Sequence, residues 1–208
     1  PLPKIDVLPV FVDIEKIRNA PIKTDLRKKY PGKFIILMAS RLTREKNIGL
    51  AIGSAKNLIP NHPNILLLIV GSGPELNNLK IQVTRYKLQD DVVFEPWTND
   101  LASYYKTADL FLLTSNYEGY GRTVIEAASA GLPVIMTDVG IVLGKIISVG
   151  DEKELASAIK LLMESKELTA KIIDEQNLVL KNLTSKDEFL NNIRSLWQNC
   201  FSQHKKLE

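Results

Sequence analysis

Cysteine occurs once, at Cys200, so the chain can form no internal disulfide, which fits a reducing compartment. Histidine occurs twice, at His62 and His204, both isolated, and no Cys/His spacing suggests a metal site. No apolar run approaches the roughly 20 residues that a membrane-spanning helix needs. A secretory leader pattern is also missing. No serine or cysteine sits in a recognisable motif with a base beside it, which argues against covalent triad chemistry. The basic residues are not interleaved with aromatics along one face, so nucleic acid is a poor partner. The net charge of +3, with a sequence pI of about 8.9, is mild. It allows peripheral contact with an anionic membrane surface without requiring it. Internal repeats, low-complexity tracts and linkers are absent as well.

What remains is an ordinary globular composition, 45% hydrophobic and 25% charged over 208 residues. Phe34 to Ala39 and Ile65 to Val70 are apolar runs unbroken by alternation, the mark of strands buried on both faces. Shorter strands are predicted at Val92 to Phe94, Leu110 to Leu113 and Val134 to Met136. Helical patterns separate them: one ending near Leu58, one near Tyr86, Asp100 to Lys106, and Arg122 to Ala130. Such alternation predicts an α/β chain with a doubly wound, Rossmann-like parallel sheet and helices on both faces. From Asp151 onward the pattern is helical, over Glu154 to Met163, Leu168 to Leu183 and Lys186 to about Gln203. At the other end, an extended segment ends near Val12, Asp13 is placed to cap a short helical turn, and Pro21 to Lys33 is a polar connection. The opening at Pro1, without methionine, reads as interior to a longer protein.

The stretch from Thr114 to Asp138 organises the rest. A strand ends near Ser115, the loop Glu118-Gly119-Tyr120-Gly121 follows, and then a helix begins. Open α/β sheets bind ligands at the carboxyl ends of their strands. Gly119 and Gly121 let the backbone approach a ligand, and the helix start offers unpaired N–H groups and a positive dipole end, so an anion, most readily a phosphate, fits there. Glu118 and Glu126, with seven residues between them, bracket that place. Side chains on a helix tilt toward its amino end, so Glu126 leans back over the strand ends. Two acids would repel a bare phosphate, so the ligand should also carry hydroxyls; a nucleotide joined to a sugar has both.

Three further places are candidates. Arg41, Arg44 and Lys46 gather after the first strong strand, at a helix start where cations oppose the macrodipole. Taken alone they are as readily a solvated basic loop, but their position favours diphosphate binding by Arg41 and Lys46. Gly71-Ser72-Gly73 follows the second strand and is equally a conformational turn or a ligand-facing loop; it lacks the third glycine of a dinucleotide fingerprint. Glu95 and Trp97 follow the third strand, where backbone can meet a base edge, although a tryptophan there is more often packing than stacking.

The combination SRLTREK, VGSGPE and EGYGRTVIEAASAGLPVIMTDVG resembles the carboxyl-terminal domain of retaining GT-B glycosyltransferases of family 4, the "glycosyl transferases group 1" type. The resemblance runs from about Val7 to Leu162, with the paired glutamates as its specific part. It implies one nucleotide-sugar-binding domain over residues 1–208, with an interdomain segment at 1–20, carboxyl-terminal helices at 164–208, and the amino-terminal acceptor domain lying elsewhere. By that resemblance Arg41 and Lys46 neutralise the donor diphosphate with help from backbone N–H groups of Gly121, Arg122 and Thr123. Glu118 holds a donor-sugar hydroxyl and Glu126 accepts from ribose hydroxyls. The implied reaction is retaining transfer of a hexosyl or N-acetylhexosaminyl group to an acceptor hydroxyl, front-sided and without an obligatory metal or other cofactor. A UDP-sugar donor is favoured over a GDP-sugar, a glycan or lipid-linked acceptor is implied, and the setting is polysaccharide biosynthesis in the cytoplasm. A non-catalytic nucleotide-sugar-binding module is the alternative, and an epimerase-like GT-B enzyme a third reading. Two departures stand out. Val10 and Phe11 replace the usual Asn and Gly before the aspartate, and the stretch from Gly140 to Ser148 is shorter than the family's glycine-bearing loop, which puts its donor-sugar contacts in question.

Overall fold

The computed structural model describes residues 8 and 10–204, with side chains through residue 198. Most of the expected extended opening therefore lies outside the described residues. Asp13 caps helix α1 (Ile14–Asn19) by accepting from the Lys16 N–H at 3.0 Å. Within the stretch expected to be a plain polar connection there is a further short helix, α2 (Leu26–Lys29), capped by Asp25. Its one apolar anchor, Leu26, is completely buried. Three basic neighbours conceal that anchor in the sequence.

The chain then runs through β1 (Phe34–Ala39), α3 (Ile48–Leu58), β2 (Ile65–Val70), α4 (Leu76–Tyr86), β3 (Val92–Glu95), α5 (Leu101–Thr107) and β4 (Leu110–Leu113). It continues with α6 (Arg122–Ser129), β5 (Val134–Thr137), β6 (Lys145–Ile147), α7 (Glu152–Glu164), α8 (Lys166–Lys181) and α9 (Lys186–His204). The strands form one parallel sheet in the order β3-β2-β1-β4-β5-β6. The expected Rossmann-like sheet with a helical tail is what is observed. Most boundaries fall within a residue or two of expectation, as helix ends do.

Alternation along each strand builds two cores from one run of apolar residues. Ile36 and Met38 of β1, with Leu67 and Ile69 of β2, pack with α3, α4 and α7. Ile35, Leu37 and Ala39, with Leu66, Leu68 and Val70, pack with α5, α6 and α8. Burying each such Leu or Ile contributes roughly 1.5–3 kcal/mol, which is why both faces must be covered. Helix α8 is joined to the sheet by polar bonds too: the buried Gln176 accepts from the Val134 N–H at 3.1 Å and donates to the Leu132 carbonyl at 3.0 Å.

Strand β6 was not expected. It pairs with β5 through the register Ile135–Lys145 to Thr137–Ile147, within the stretch that the sequence marks as a shortened loop. Only residues 138–144 join the two strands, far fewer than the dozen or more usual for a parallel connection. The link turns at Gly140 and Gly144, both at positive φ, and its Ile141 N–H donates to the Tyr120 carbonyl at 3.0 Å. The short connection thus stands directly against the Glu118 loop.

Backbone packs closely on backbone at the carboxyl edge of the sheet. A Cβ on Gly71, whose φ is +151°, would lie 1.9 Å from the Ser40 carbonyl oxygen, and one on Gly73 would lie 2.3 Å from that of Leu42. The β1 loop crosses over this turn, with the Leu42 N–H donating to Ser72 and the Glu75 N–H to Leu42. A Cβ on Gly119, in contrast, meets nothing within 4 Å. Gly71→Ala is therefore expected to lower stability by about 3 kcal/mol, combining backbone strain with a backbone clash. Gly119→Ala should leave the melting temperature within about a degree of the parent, and thermal melts of the two variants side by side check this.

Candidate functional site

The site is assembled where β1 and β4, neighbours in the sheet but not in sequence, end side by side. Ligands in open α/β sheets bind at such a switch point. The loops leaving the two strands are bonded to each other. The buried Thr114 hydroxyl donates to the carbonyls of Lys46 at 3.1 Å and Asn47 at 3.0 Å, and the Asn116 N–H donates to that of Glu45 at 2.8 Å. A single 3-10 turn, Arg44–Lys46, ends at Asn47 in the left-handed region, and the Asn47 side chain donates to that of Asn116. On the other side, the Thr137 hydroxyl donates to the Ser115 carbonyl at 2.6 Å.

This stitching brings Lys46 and Glu118 together. Lys46 Nζ lies 2.7 Å from Glu118 Oε1, and the Ser115 hydroxyl donates to the same oxygen at 2.7 Å. Both charged side chains are largely covered, at 15% and 10% exposure, so the pair is less screened than a surface ion pair. Arg41 is exposed on the same loop, and Arg44 turns away to Glu75. The loop after Glu118 reaches Gly121, at φ +83°, which starts α6 without a side-chain cap. The first-turn N–H groups, including those of Arg122 and Thr123, are thus left to meet an anion.

Glu126 stands one turn further along α6 and leans toward the amino end, where Arg122 lies 3.7 Å from its Oε1. Its other oxygen accepts from the Tyr105 hydroxyl at 3.2 Å. Burial pushes the Glu126 carboxyl up, while Tyr105 and Arg122 oppose that rise without cancelling it. Burial likewise pushes the Tyr105 hydroxyl well above its ordinary value, with the Glu126 charge adding to the effect.

Glu126 and Arg122 form one end of a cleft of about 470 Å³. Its remaining walls are α1 with the residue before its cap, the segment between α1 and α2, the Trp97–Asp100 loop after β3, and the start of α5 with Tyr105. Lys106 holds α1 in place by donating to the carbonyls of Arg18 and Ala20. Trp97 is half exposed and lines this cleft, in contrast to the packing role that tryptophans at strand ends more often take. Glu118, Lys46 and Arg41 do not line it; they adjoin it through the Glu118–Gly121 loop.

Glu95 was singled out as following the third strand; it is instead the last residue of β3, and the structure shows what its side chain does. The carboxylate accepts from Lys29 Nζ at 2.6 Å, Tyr30 at 2.7 Å and Tyr104 at 2.6 Å, and the Glu95 carbonyl accepts from the Gly71 N–H. Burial alone would push this carboxyl up, but the bonds from Lys29, Tyr104 and Tyr30 together hold it below its usual value. The Gly71 and Gly73 Cβ positions likewise point at the β1 loop and not at open space. Among the described residues no group of three or more His, Cys, Asp or Glu side chains gathers as metal ligands would. No helix there is long and apolar enough to cross a membrane.

Sequence reading missed Tyr105, Ser115 and Thr114. The partners of Thr114 and Tyr105 lie 68 and 21 residues away, so no local pattern carries them. Ser115 is only three residues from Glu118, and an Ser-x-x-Glu spacing ahead of a helix was a usable signal.

The family model described as "Glycosyl transferases group 1" matches residues 22–178, 157 of the 208. The chain belongs to that family. The UDP-Gal:alpha-D-GlcNAc-diphosphoundecaprenol alpha-1,3-galactosyltransferase of Escherichia coli is 36% identical over 143 residues, covering 65% of this chain and 37% of that protein. HepE from Anabaena, crystallised with UDP-glucose, superposes with a TM-score of 0.83 at 24% identity over 93% of this chain and 57% of that one. The carboxyl-terminal domain of the group 1 protein LpcC from Francisella tularensis superposes with a TM-score of 0.72 at 22% identity, over 83% of this chain and 98% of that domain. The fold is that of the GT-B glycosyltransferases, and homologues act in glycan and glycolipid biosynthesis. The chain spans about a third of the length of the curated relatives it matches.

The two half-buried glutamates Glu95 and Glu126 should differ in their pH signatures. The folded-state pKa of Glu126 is raised, so stability falls as pH climbs from the ordinary carboxylate range through the raised value. Glu126→Gln is expected to melt at or above the parent temperature at neutral pH, with the gap closing in acid. The Glu95 pKa is depressed, so its contribution is present above the ordinary value and lost as pH falls through the lowered one. Glu95→Gln should cost about 2 kcal/mol or more at neutral pH and progressively less in acid. Melts from about pH 3 to 8, spanning the ordinary carboxylate pKa range, separate the two.

Proposed function

We propose that the chain is the donor-binding half of a retaining glycosyltransferase, which moves a hexosyl or N-acetylhexosaminyl group from a UDP-sugar to a hydroxyl of a glycan or lipid-linked acceptor. The observation that carries this reading is the succession along one edge of the Lys46–Glu118 pair, the uncapped start of α6, and Glu126 at the end of a nucleoside-sized cleft. The nucleoside lies in the cleft with its base toward the Trp97 loop and its ribose hydroxyls on Glu126. The diphosphate lies over the first turn of α6 and faces Arg41 and Lys46. Glu118 then meets the donor sugar. Family membership supports transfer. The UDP complexes of HepE and the lipid-linked saccharide named for the Escherichia coli relative support the donor and acceptor classes.

In this reading the bond from the anomeric carbon to the diphosphate breaks, the acceptor oxygen bonds to the same face of that carbon, and its proton passes to the leaving phosphate. Arg41, Lys46 and the α6 N–H groups stabilise the charge that develops there, and they do so without needing a metal ion. The acceptor is positioned by an amino-terminal domain of the parent protein, and positioning supplies much of the rate. The 208 residues alone therefore bind donor weakly and transfer nothing. The setting is the cytoplasmic face of the membrane, reached by peripheral contact.

Three measurements test the reading. Glu126→Gln should weaken UDP binding about tenfold or more in calorimetry, because hydrogen bonds to charged groups contribute roughly 1.5–3 kcal/mol. Unchanged UDP affinity in a folded variant would remove the ribose assignment. Arg41→Ala and Lys46→Ala should weaken UDP far more than uridine, with the difference shrinking in high salt; equal losses for both ligands would place these cations away from the phosphates. In a radiolabelled-donor assay, transfer should appear only with the amino-terminal half present. Robust transfer by these residues alone would refute the half-enzyme reading, while UDP-sugar binding without transfer by the whole protein would favour a regulatory module.

A further inference from the structure

Tyr105 is 2% exposed and packs edge-on against Phe111 of β4, with ring centroids 5.6 Å apart. Buried tyrosines place their hydroxyl on a partner, and here the partner is a carboxylate oxygen of Glu126 at 3.2 Å, on a different helix. The hydroxyl cannot serve as a proton store near neutral pH, because burial holds its pKa far above that range. It acts as a fixed donor. Its anchor is also rigid, since α5 is bound to the chain around α1 by Lys106, and the Ser103 hydroxyl accepts from the Lys23 N–H.

We propose that Tyr105 is a positioning residue for nucleotide binding: it fixes one oxygen of Glu126 and so keeps the carboxylate turned into the cleft. The inference rests on the assignment of Glu126 to ribose hydroxyls. Glu126 is 20% exposed, and its second nearby donor, Arg122, is at 3.7 Å and itself 63% exposed, a weak and screened partner. The other charged groups facing the same cleft are Asp13, Lys16, Lys23 and Asp100, from α1, the segment before α2, and the start of α5. None of these has a bond to Glu126, so the Tyr105 hydroxyl is the closest group that favours the charged carboxylate. Without it the carboxyl takes up a proton at higher pH and loses its fixed rotamer. Either change removes an acceptor for the ribose hydroxyls.

Tyr105→Phe tests this, because the ring and its packing on Phe111 are kept. In the unliganded chain, carboxyl-carbon NMR should show the Glu126 midpoint moved upward in the variant, and an unmoved midpoint overturns the proposal whatever the nucleotide does. In calorimetry, UDP should bind the variant about tenfold more weakly at neutral pH, the scale of one charge-assisted hydrogen bond. The pH below which UDP binding fades should move up with the NMR midpoint. Probing with 2′,3′-dideoxy-UDP should show no difference between parent and variant, whereas equal losses for both ligands would reduce Tyr105 to packing. In a Glu126→Gln background, Tyr105→Phe should have no further effect on UDP. If the parent binds UDP and the dideoxy analogue equally while the NMR midpoint still moves, the ribose assignment fails and the control of Glu126 by Tyr105 stands.

Discussion

The side-by-side ending of β1 and β4 is the constraint on which the rest of the structure depends. The two strands are paired through Ile36–Leu110 and Leu37–Phe111, yet a long stretch of chain, including β2 and β3, separates them. Two loops of unrelated sequence must therefore share one edge. Each brings backbone carbonyls and N–H groups into a poorly hydrated place, where an unpaired group costs about 1–3 kcal/mol. The Thr114 hydroxyl, the Asn116 N–H and the Asn47 amide resolve this by joining the loops. Gly71 and Gly73 resolve it on the β2 side by letting the β1 loop pass overhead. Once the edge is fixed in this way, Lys46 and Glu118 are held on adjoining loops, where their side chains meet at 2.7 Å.

Three glutamates at this edge show how environment assigns tasks to one side-chain type. Glu95 accepts from a lysine and two tyrosines and is spent on holding the end of β3. Glu118 accepts from Lys46 and Ser115 and keeps the local charge near zero. Glu126 has one neutral donor close by and a distant arginine. Burial pushes the Glu126 carboxyl up, and its partners leave that rise uncompensated, whereas the bonds to Glu95 hold its carboxyl below the usual value. Carboxyls perturbed in this direction and set in a cleft are candidates for functional positions.

The layered plan was legible in the sequence because it rests on local signals: unbroken apolar runs such as Ile65 to Val70 are short, and the turn residues that bound them make them read as buried strands. The paired glutamates and the basic loop were legible by type and by their place after strands. What stayed hidden were relations across the sheet. Nothing in the spacing of Tyr105 and Glu126, on two helices, signals a bond. The fate of the Glu95 carboxylate depends on Lys29 and Tyr30, which lie in a stretch whose polarity also hid α2. Strand β6 was hidden for a different reason: with Lys145 exposed at the sheet edge, its pattern is too short to separate from a loop, and it forms only because β5 is there to receive it.

The charge arrangement also bears on how a site of this kind rejects the wrong ligand. A free anion approaching α6 meets a lysine already neutralised by Glu118, so the attraction left to it is that of Arg41 and the helix start. An isolated helix start is worth only about 0.3–1 kcal/mol to a surface charge. A ligand that also carries hydroxyls can give Glu126 the donors it lacks and can share Glu118 with Lys46 without stripping it of its partner. Under the proposed function, selectivity for a nucleotide sugar over phosphate then follows from two carboxylates that would each be a liability to a simple phosphate site. On that proposal the acids exclude what lacks hydroxyls, and the cations hold what has a diphosphate.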